Sequence, residues 1–415
     1  MSRRSERSFV RLGAALVSRR RSARLAFTIN NGVRLFSTGD DYFAALVIAI
    51  DAAERDVALE TYIFCDDDAG RPVSEALMRA AGRGVRVRVI TDGIGTGRLA
   101  LFDPWREAGV EHRIYNPHLF GRFGFSRTHR KIAAVDGRVA FCGGINIVDD
   151  YDSNGTLLPF PRWDFALELT GPVVAQVGSA FDIQWQRIES GHRPPSLDAL
   201  HPRAWLPPAW AAARGRRSSA PALGEPAIAF IARDNIVNRR AIEKAYLVAI
   251  GRARHEILVA NPYFMPGRKM RRALVRAARR GVDVRVIVGR KEFAALDYAV
   301  PHLYGRLLAA GVRIGEYEKT MLHAKVAVVD SNWATVGSSN LDALSLVLNH
   351  EANVVLVEHP EIASLRSAIL AAFEDARPID GQRYAARPLA ERLMNWLAYT
   401  TYRAVMKLIT VGGYD

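Results

Sequence analysis

The sequence predicts an α/β protein in which two pseudo-symmetric sandwich lobes occur in one chain and meet at a shared interface. Three observations carry this expectation. A strand–helix–strand pattern occurs twice. The two copies keep nearly constant spacing along the 415 residues. A stretch rich in Pro, Ala and Arg, 191–225, lies between them. Internal repeats of this kind set the architecture before any local reading does.

Residues 76–90 read ALMRAAGRGVRVRVI and residues 273–287 read ALVRAARRGVDVRVI. Upstream, 49–64 aligns with 249–264; downstream, AGVEHRIY at 108–115 aligns with AGVRIGEY at 310–317. The small drift in offset places short insertions in loops. In the first copy, 58–64 is a buried strand, 73–83 an amphipathic helix closed by Gly84, and 85–90 a Val/Ile strand. The second copy repeats the order at 257–264, 269–280 with Gly281, and 282–288. Later in each copy come two short strands around a turn, 132–135 with 139–142 and 326–329 with 334–336. A further strand follows in each, at 164–169 and 351–357. The division expected is a basic N-terminal segment 1–26, a first lobe 27–190, a linker 191–225, a second lobe 226–376 and a C-terminal tail 377–415 with an amphipathic helix.

With 49% hydrophobic residues the chain can bury a substantial core, which excludes global disorder. Its net charge is +14. The first 24 residues hold eight arginines against Glu6 alone, and so dense a cluster points to an anionic partner. Two cysteines, Cys65 and Cys142, make neither a disulfide framework nor a zinc pattern, and fit a reduced, cytosolic setting. The apolar stretch 9–17 is broken by Arg11 and lacks a small-residue cleavage site, so it does not read as a signal peptide. No apolar run is long enough for a transmembrane helix.

The chemistry lies in a second duplication. His129, Lys131, Asp136 and Asn146 recur as His323, Lys325, Asp330 and Asn340, all at an offset of 194. Each set reads H-x-K-x4-D with the asparagine 17 residues after the histidine. Residues i and i+2 of a strand share a face, so each histidine points with its lysine. Each aspartate sits at an odd offset, at the turn, and is expected to pin that turn or a cation rather than carry protons. Lysine ammoniums and asparagine amides neutralise and orient the oxygens of a phosphodiester. One neutral imidazole can attack phosphorus and the other, protonated, can donate to the leaving alkoxide. The nucleophilic ring needs a carboxylate to fix its tautomer. Asp164 and Glu351, each just downstream of its motif, are the candidates. The scheme calls for no metal and no cofactor.

At these residues the chain resembles the phospholipase D superfamily. THRKIAAVDGRVAFCGGIN and LHAKVAVVDSNWATVGSSN look like its paired motifs. It is most similar to bacterial cardiolipin synthases of the cardiolipin synthase B branch. That likeness covers roughly 28–376 and includes ETYIF at 60–64, RDN at 233–235, NPYF at 261–264 and GSSNLDALSLVLNHEANV at 337–354. The resemblance implies two phospholipase D-like lobes with the active site at their interface. It implies a phosphatidyl group carried on histidine and passed to an alcohol such as phosphatidylglycerol, with His129 as nucleophile and His323 as acid. Ser345 follows Asn340 by five residues as in many relatives, whereas the matching first-lobe position is Tyr151. Substrates expected are phosphatidylglycerol and, as a second lipid, phosphatidylethanolamine, at an anionic membrane. The alternatives are a phospholipase D-type hydrolase, or a nuclease or phosphodiesterase on nucleic acid. No nucleic-acid-binding module is recognisable, so no nucleic-acid partner is expected.

A lipid substrate must be met at a bilayer. Residues 393–411 are mostly apolar, with Thr400, Arg403, Lys407 and Thr410 as a narrow polar stripe at helical period. An interfacial helix anchored by Trp396, Tyr399 and Tyr402 is expected there, with the basic N-terminus adding attraction to anionic lipid. The expected location is the cytoplasmic side of the cell membrane, held peripherally.

Overall fold

A computed structural model describes residues 25–118, 124–153, 155–190, 224–234, 238–290 and 294–409. The N-terminal arginine cluster, the linker up to residue 223, and Thr410 with the last five residues lie outside the described part.

The first lobe runs β1 (Gly32–Phe36), α1 (Gly39–Asp51), β2 (Asp56–Thr61), α2 (Gly70–Gly82), β3 (Arg86–Asp92), α3 (Phe102–Glu107), β4 (Glu111–Tyr115), β5 (Ile132–Val135), β6 (Val139–Gly143), a small pair β7 (Asp152–Ser153) and β8 (Thr156–Leu157), β9 (Ala166–Thr170) and α4 (Val174–Ser190). The second runs β10 (Ala227–Arg233), α5 (Ala241–Arg252), β11 (Glu256–Asn261), α6 (Arg268–Arg279), β12 (Asp283–Gly289), α7 (Ala294–Ala299), a 3-10 turn, α8 (Tyr304–Leu308), β13 (Arg313–Tyr317), β14 (Val326–Val329), β15 (Trp333–Gly337), a π-turn Leu344–Leu348, β16 (Glu351–Val357), α9 (Glu361–Asp375), β17 (Arg377–Pro378), α10 (Gly381–Ala385) and α11 (Leu389–Ile409).

The sheets have the same order. The first is β1-β9-β6-β5-β2-β3-β4, and the second is β10-β16-β15-β14-β11-β12-β13 with β17 added at the edge. The βαβ units β2–α2–β3 and β11–α6–β12 are parallel; the hairpins that follow are antiparallel. Central strands are buried on both faces, which is why they read as unbroken Val/Ile/Ala runs. One apolar cluster joins the lobes: Leu167, Phe181 and Trp185 of the first lie in it with Leu258, Val354 and Leu365 of the second.

Each H-x-K-x4-D aspartate closes a hairpin. Arg138 N–H reaches Val135 O at 2.9 Å, and Asp136 and Gly137 lie at φ 53° and 67°. Both central residues at positive φ suit the strand twist. The second hairpin places Asp330 and Ser331 at 51° and 57°.

Two expectations need correction. β9 starts at Ala166, so Asp164 precedes the strand instead of opening it. The C-terminal helix starts at Leu389, and Tyr399 and Tyr402 do not face outward; they pack with Ala398 against the second-lobe core. Docking follows helical spacing, since Asn395, Ala398, Tyr399, Tyr402 and Met406 share one face. Trp396 alone of the three proposed anchors is exposed.

Candidate active site

The two lobes trade backbone hydrogen bonds where the motifs meet. His129 N–H donates to His350 O at 2.8 Å, and His323 N–H donates to Trp163 O at 3.0 Å. His350 and Trp163 are the residues immediately before Glu351 and Asp164. Each carboxylate is thereby carried to the histidine of the opposite lobe. His129 Nδ1 lies 3.0 Å from Glu351 Oε2, and His323 Nδ1 lies 2.5 Å from Asp164 Oδ2. Sequence placed each acid downstream of its own motif; the crossing comes from the lobe interface.

Glu351 is fully buried, and Ser338 Oγ also donates to its Oε2. With Glu351 accepting from Nδ1–H, the Nε2 of His129 keeps its lone pair. Burial and the neighbouring lysines pull the His129 pKa below the ordinary value, against the opposing pull of Glu351. Burial also depresses His323 well below its usual range, reinforced by Lys325 and Lys131. Its partner Asp164 is pushed up to about 7 by burial, although Lys325 opposes this. The His323–Asp164 pair therefore holds a proton near neutrality on one member or the other.

Each lysine turns back onto the histidine of its own motif. Lys131 Nζ donates to His129 O at 2.9 Å, and Lys325 Nζ donates to His323 O. Lys131 is pulled down to about 7, by burial first and then by Lys325. Two buried ammoniums so close together are a site waiting for an anion. Asn146 Oδ1 accepts from Ile63 N–H at 3.2 Å, while the buried Asn340 Oδ1 has no partner among the described residues. Ser345 is buried against the Asp342 carboxylate, whereas its counterpart Tyr151 is exposed.

Asp136 and Asp330 stand away from this chemistry. Asp136 accepts from the N–H groups of Glu54, Arg55 and Asp56 at 2.8–2.9 Å. Asp330 accepts from Arg254, His255 and Glu256 at 2.7–3.1 Å. Burial pulls each carboxyl up, but the three amides outweigh it and both sit below the usual range. Among the described residues no cluster of His, Cys, Asp or Glu is placed to hold a metal ion.

Several residues at the site were not singled out from sequence. Tyr62 packs on the His129 ring at 4.9 Å between centroids and lies under Lys131 Nζ at 5.2 Å. Glu60 is buried beneath, accepting from Thr128 Oγ1 and lying 3.8 Å from Arg130. Arg233 is fully buried and pairs across the strands with Glu351. Its Nε donates to Arg239 O, and neither terminal nitrogen has a partner among the described residues. Burial lowers its pKa to about 10, and Glu351 opposes the fall. The only signal for these residues lay in the ETYIF and RDN fragments.

Comparison with known proteins fits this geometry. The family model described as "Cardiolipin synthase, PLD-like domain" matches residues 46–154 and again 246–372. The chain belongs to this family. Cardiolipin synthase B of Escherichia coli is 37% identical over 360 residues, covering 84% of this chain and 82% of that protein. Cardiolipin synthase 1 of Bacillus cereus is 30% identical, covering 87% and 70%. A solved phosphatidylserine synthase from Haemophilus influenzae superposes with a TM-score of 0.68 at 12% identity, covering 95% of this chain and 98% of that one, a likeness of fold. Within the phospholipase D superfamily the protein is a phosphatidyltransferase of the cardiolipin synthase group.

Proposed function

We propose that the protein makes cardiolipin by moving a phosphatidyl group onto phosphatidylglycerol through a phosphohistidine on His129. His129 Nε2 attacks the donor phosphorus. The bond to the headgroup oxygen breaks, and the His323–Asp164 pair gives that oxygen its proton. The acceptor hydroxyl then loses its proton to the same pair and attacks phosphorus. The phosphorus–nitrogen bond breaks and returns its electrons to His129. Lys131, Lys325, Asn146 and Asn340 hold the non-bridging oxygens as their charge grows. Glu351 and Asp164 act as positioning residues for the rings.

The observation that carries this reading is the crossed pairing of each histidine with the opposite lobe's carboxylate, around two buried lysines. The donor is phosphatidylglycerol or phosphatidylethanolamine, the leaving group being glycerol or ethanolamine. The protein works peripherally on the cytoplasmic face of an anionic membrane, without a nucleic-acid partner. Among the described residues no helix is long and apolar enough to cross a membrane.

The test is incubation of the protein, and of His129→Ala and His323→Ala, with phosphatidylglycerol vesicles, with and without phosphatidylethanolamine. Mass spectrometry of the lipids should show cardiolipin with wild type only. Phosphatidic acid as the sole product would make it a hydrolase. No lipid turnover, with cleavage of added DNA, would overturn the lipid reading.

A further inference from the structure

The outward face of α11 is unlike any other helix surface among the described residues. Leu389 is 79% exposed, Leu393 62%, Leu397 52% and Leu408 81%, with Met394 and Trp396 half exposed beside them. At about 100° per residue, Leu393, Leu397, Ala404 and Leu408 fall along one line opposite the docked Asn395, Tyr402 and Met406. Arg392, Arg403 and Lys407 are exposed along one edge of that face. The helix is thus apolar on two sides, and the body covers only one.

Its position is tied to the active site. Tyr402 packs against the second-lobe core beside Ala343, three residues after Asn340. Tyr399 Oη accepts from Arg271 Nη1 of α6 at 3.2 Å. α6 breaks the pseudo-symmetry in charge. Its first-lobe counterpart α2 pairs Arg71 with Asp66 and Arg79 with Asp51. On α6, Lys269, Arg272, Arg276 and Arg279 are exposed and make no ion pair among the described residues.

From this we infer that the outer face of α11, together with the basic face of the adjoining α6, is the surface that seats the protein on an anionic bilayer. The leucines and Trp396 enter the acyl boundary while the basic side chains meet lipid phosphates. The Asn340 loop, beside Tyr402, then lies near the membrane that supplies the lipid. This deepens the transferase reading, which makes the substrate a lipid, but the seat is tested by binding without turnover. Charge favours a membrane over a second copy, because Arg392, Arg403 and Lys407, the exposed charges along the edge of the leucine face, are all basic.

The experiment is co-sedimentation of the full chain with vesicles of phosphatidylglycerol and phosphatidylethanolamine, or of neutral phosphatidylcholine. Wild type should bind the anionic vesicles. The double variant Leu393→Asp with Leu397→Asp should bind at least about tenfold more weakly, with an unchanged melting temperature, because neither side chain packs on the body. In wild type, brominated lipid should quench tryptophan emission, and Trp396→Phe should remove most of that quenching. Unchanged binding by the double variant, or no loss of quenching in Trp396→Phe, would overturn the inference. So would a wild-type dimer that the double variant dissolves, since the face would then be an interface between copies. Failure of cardiolipin synthesis with vesicle binding intact would count against the transferase reading instead.

Discussion

His129 and His323 are the same residue in a duplicated motif, yet their surroundings differ. His129 faces Glu351, with the buried guanidinium of Arg233 on the neighbouring strand, and His323 faces Asp164, whose carboxyl is pushed up to about 7 by burial. Glu351 accepts from Nδ1–H, which leaves the Nε2 lone pair of His129 free to attack. Glu351→Gln should cut kcat by about 10²–10⁴-fold through the wrong tautomer. Asp164→Asn should do so only for a poor leaving group. With a nitrophenyl phosphodiester, which leaves without a proton, the Asn variant should keep a stopped-flow burst and the Gln variant should not. Equal bursts would remove the asymmetry. The pH profile has a definite sign as well. Lys131 and the His323–Asp164 pair both lose a proton near 7, so kcat/KM should fall as pH rises through that value. The fall in kcat should come at higher pH, because a bound phosphodiester favours the ammonium. A kcat/KM flat from pH 6 to about 9 would contradict this.

At the scale of elements, the turns around Asp136 and Asp330 are held by carboxylates on three amides each. Asp136→Asn should lower stability by about 1–3 kcal/mol, read by urea unfolding. A carboxyl held below its unfolded pKa contributes stability above about pH 4 and loses it as pH falls through the folded value. The gap between wild type and Asn variant should therefore close below pH 4; a constant gap would mean the charge is not involved. These hairpins were the most legible part of the sequence. Strands 132–135 and 326–329 fall where expected because four apolar residues before Asp-Gly or Asp-Ser leave little choice of register. The facing of α11 was not legible. Leucine, tyrosine and tryptophan are all apolar enough to dock, and only tertiary contact with α7, the 3-10 turn that holds His302, and Arg271 of α6 selects Tyr399 and Tyr402 for the inside. Asp164 was placed on the strand rather than before it, since a two-residue shift at a strand end costs little in pattern.

Across the whole molecule, the duplicated motifs and the repeated strand–helix–strand pattern were readable because repetition survives in spacing. The pairing of acids with histidines was not, because it depends on how two lobes dock. That docking also joins their cores: residues of both sheets share one apolar cluster, and Arg187 of α4 pairs with Asp234 beyond β10 at 3.1 Å. The lobes should therefore unfold together. Calorimetry should give one transition, with calorimetric and van't Hoff enthalpies in agreement. Two separated peaks would show lobes that fold alone, and the site could then open without unfolding either.

The central claim is that one site, built from both lobes, carries the phosphatidyl group on His129. The most direct test is to mix the protein with phosphatidylglycerol vesicles, quench in base, digest and map the adduct by mass spectrometry. A phosphatidyl or glycerophosphoryl adduct on the His129 peptide, absent in His129→Ala and strongly reduced in Glu351→Gln, is the predicted result. An adduct on His323, or turnover with no histidine adduct at any quench time, would contradict it.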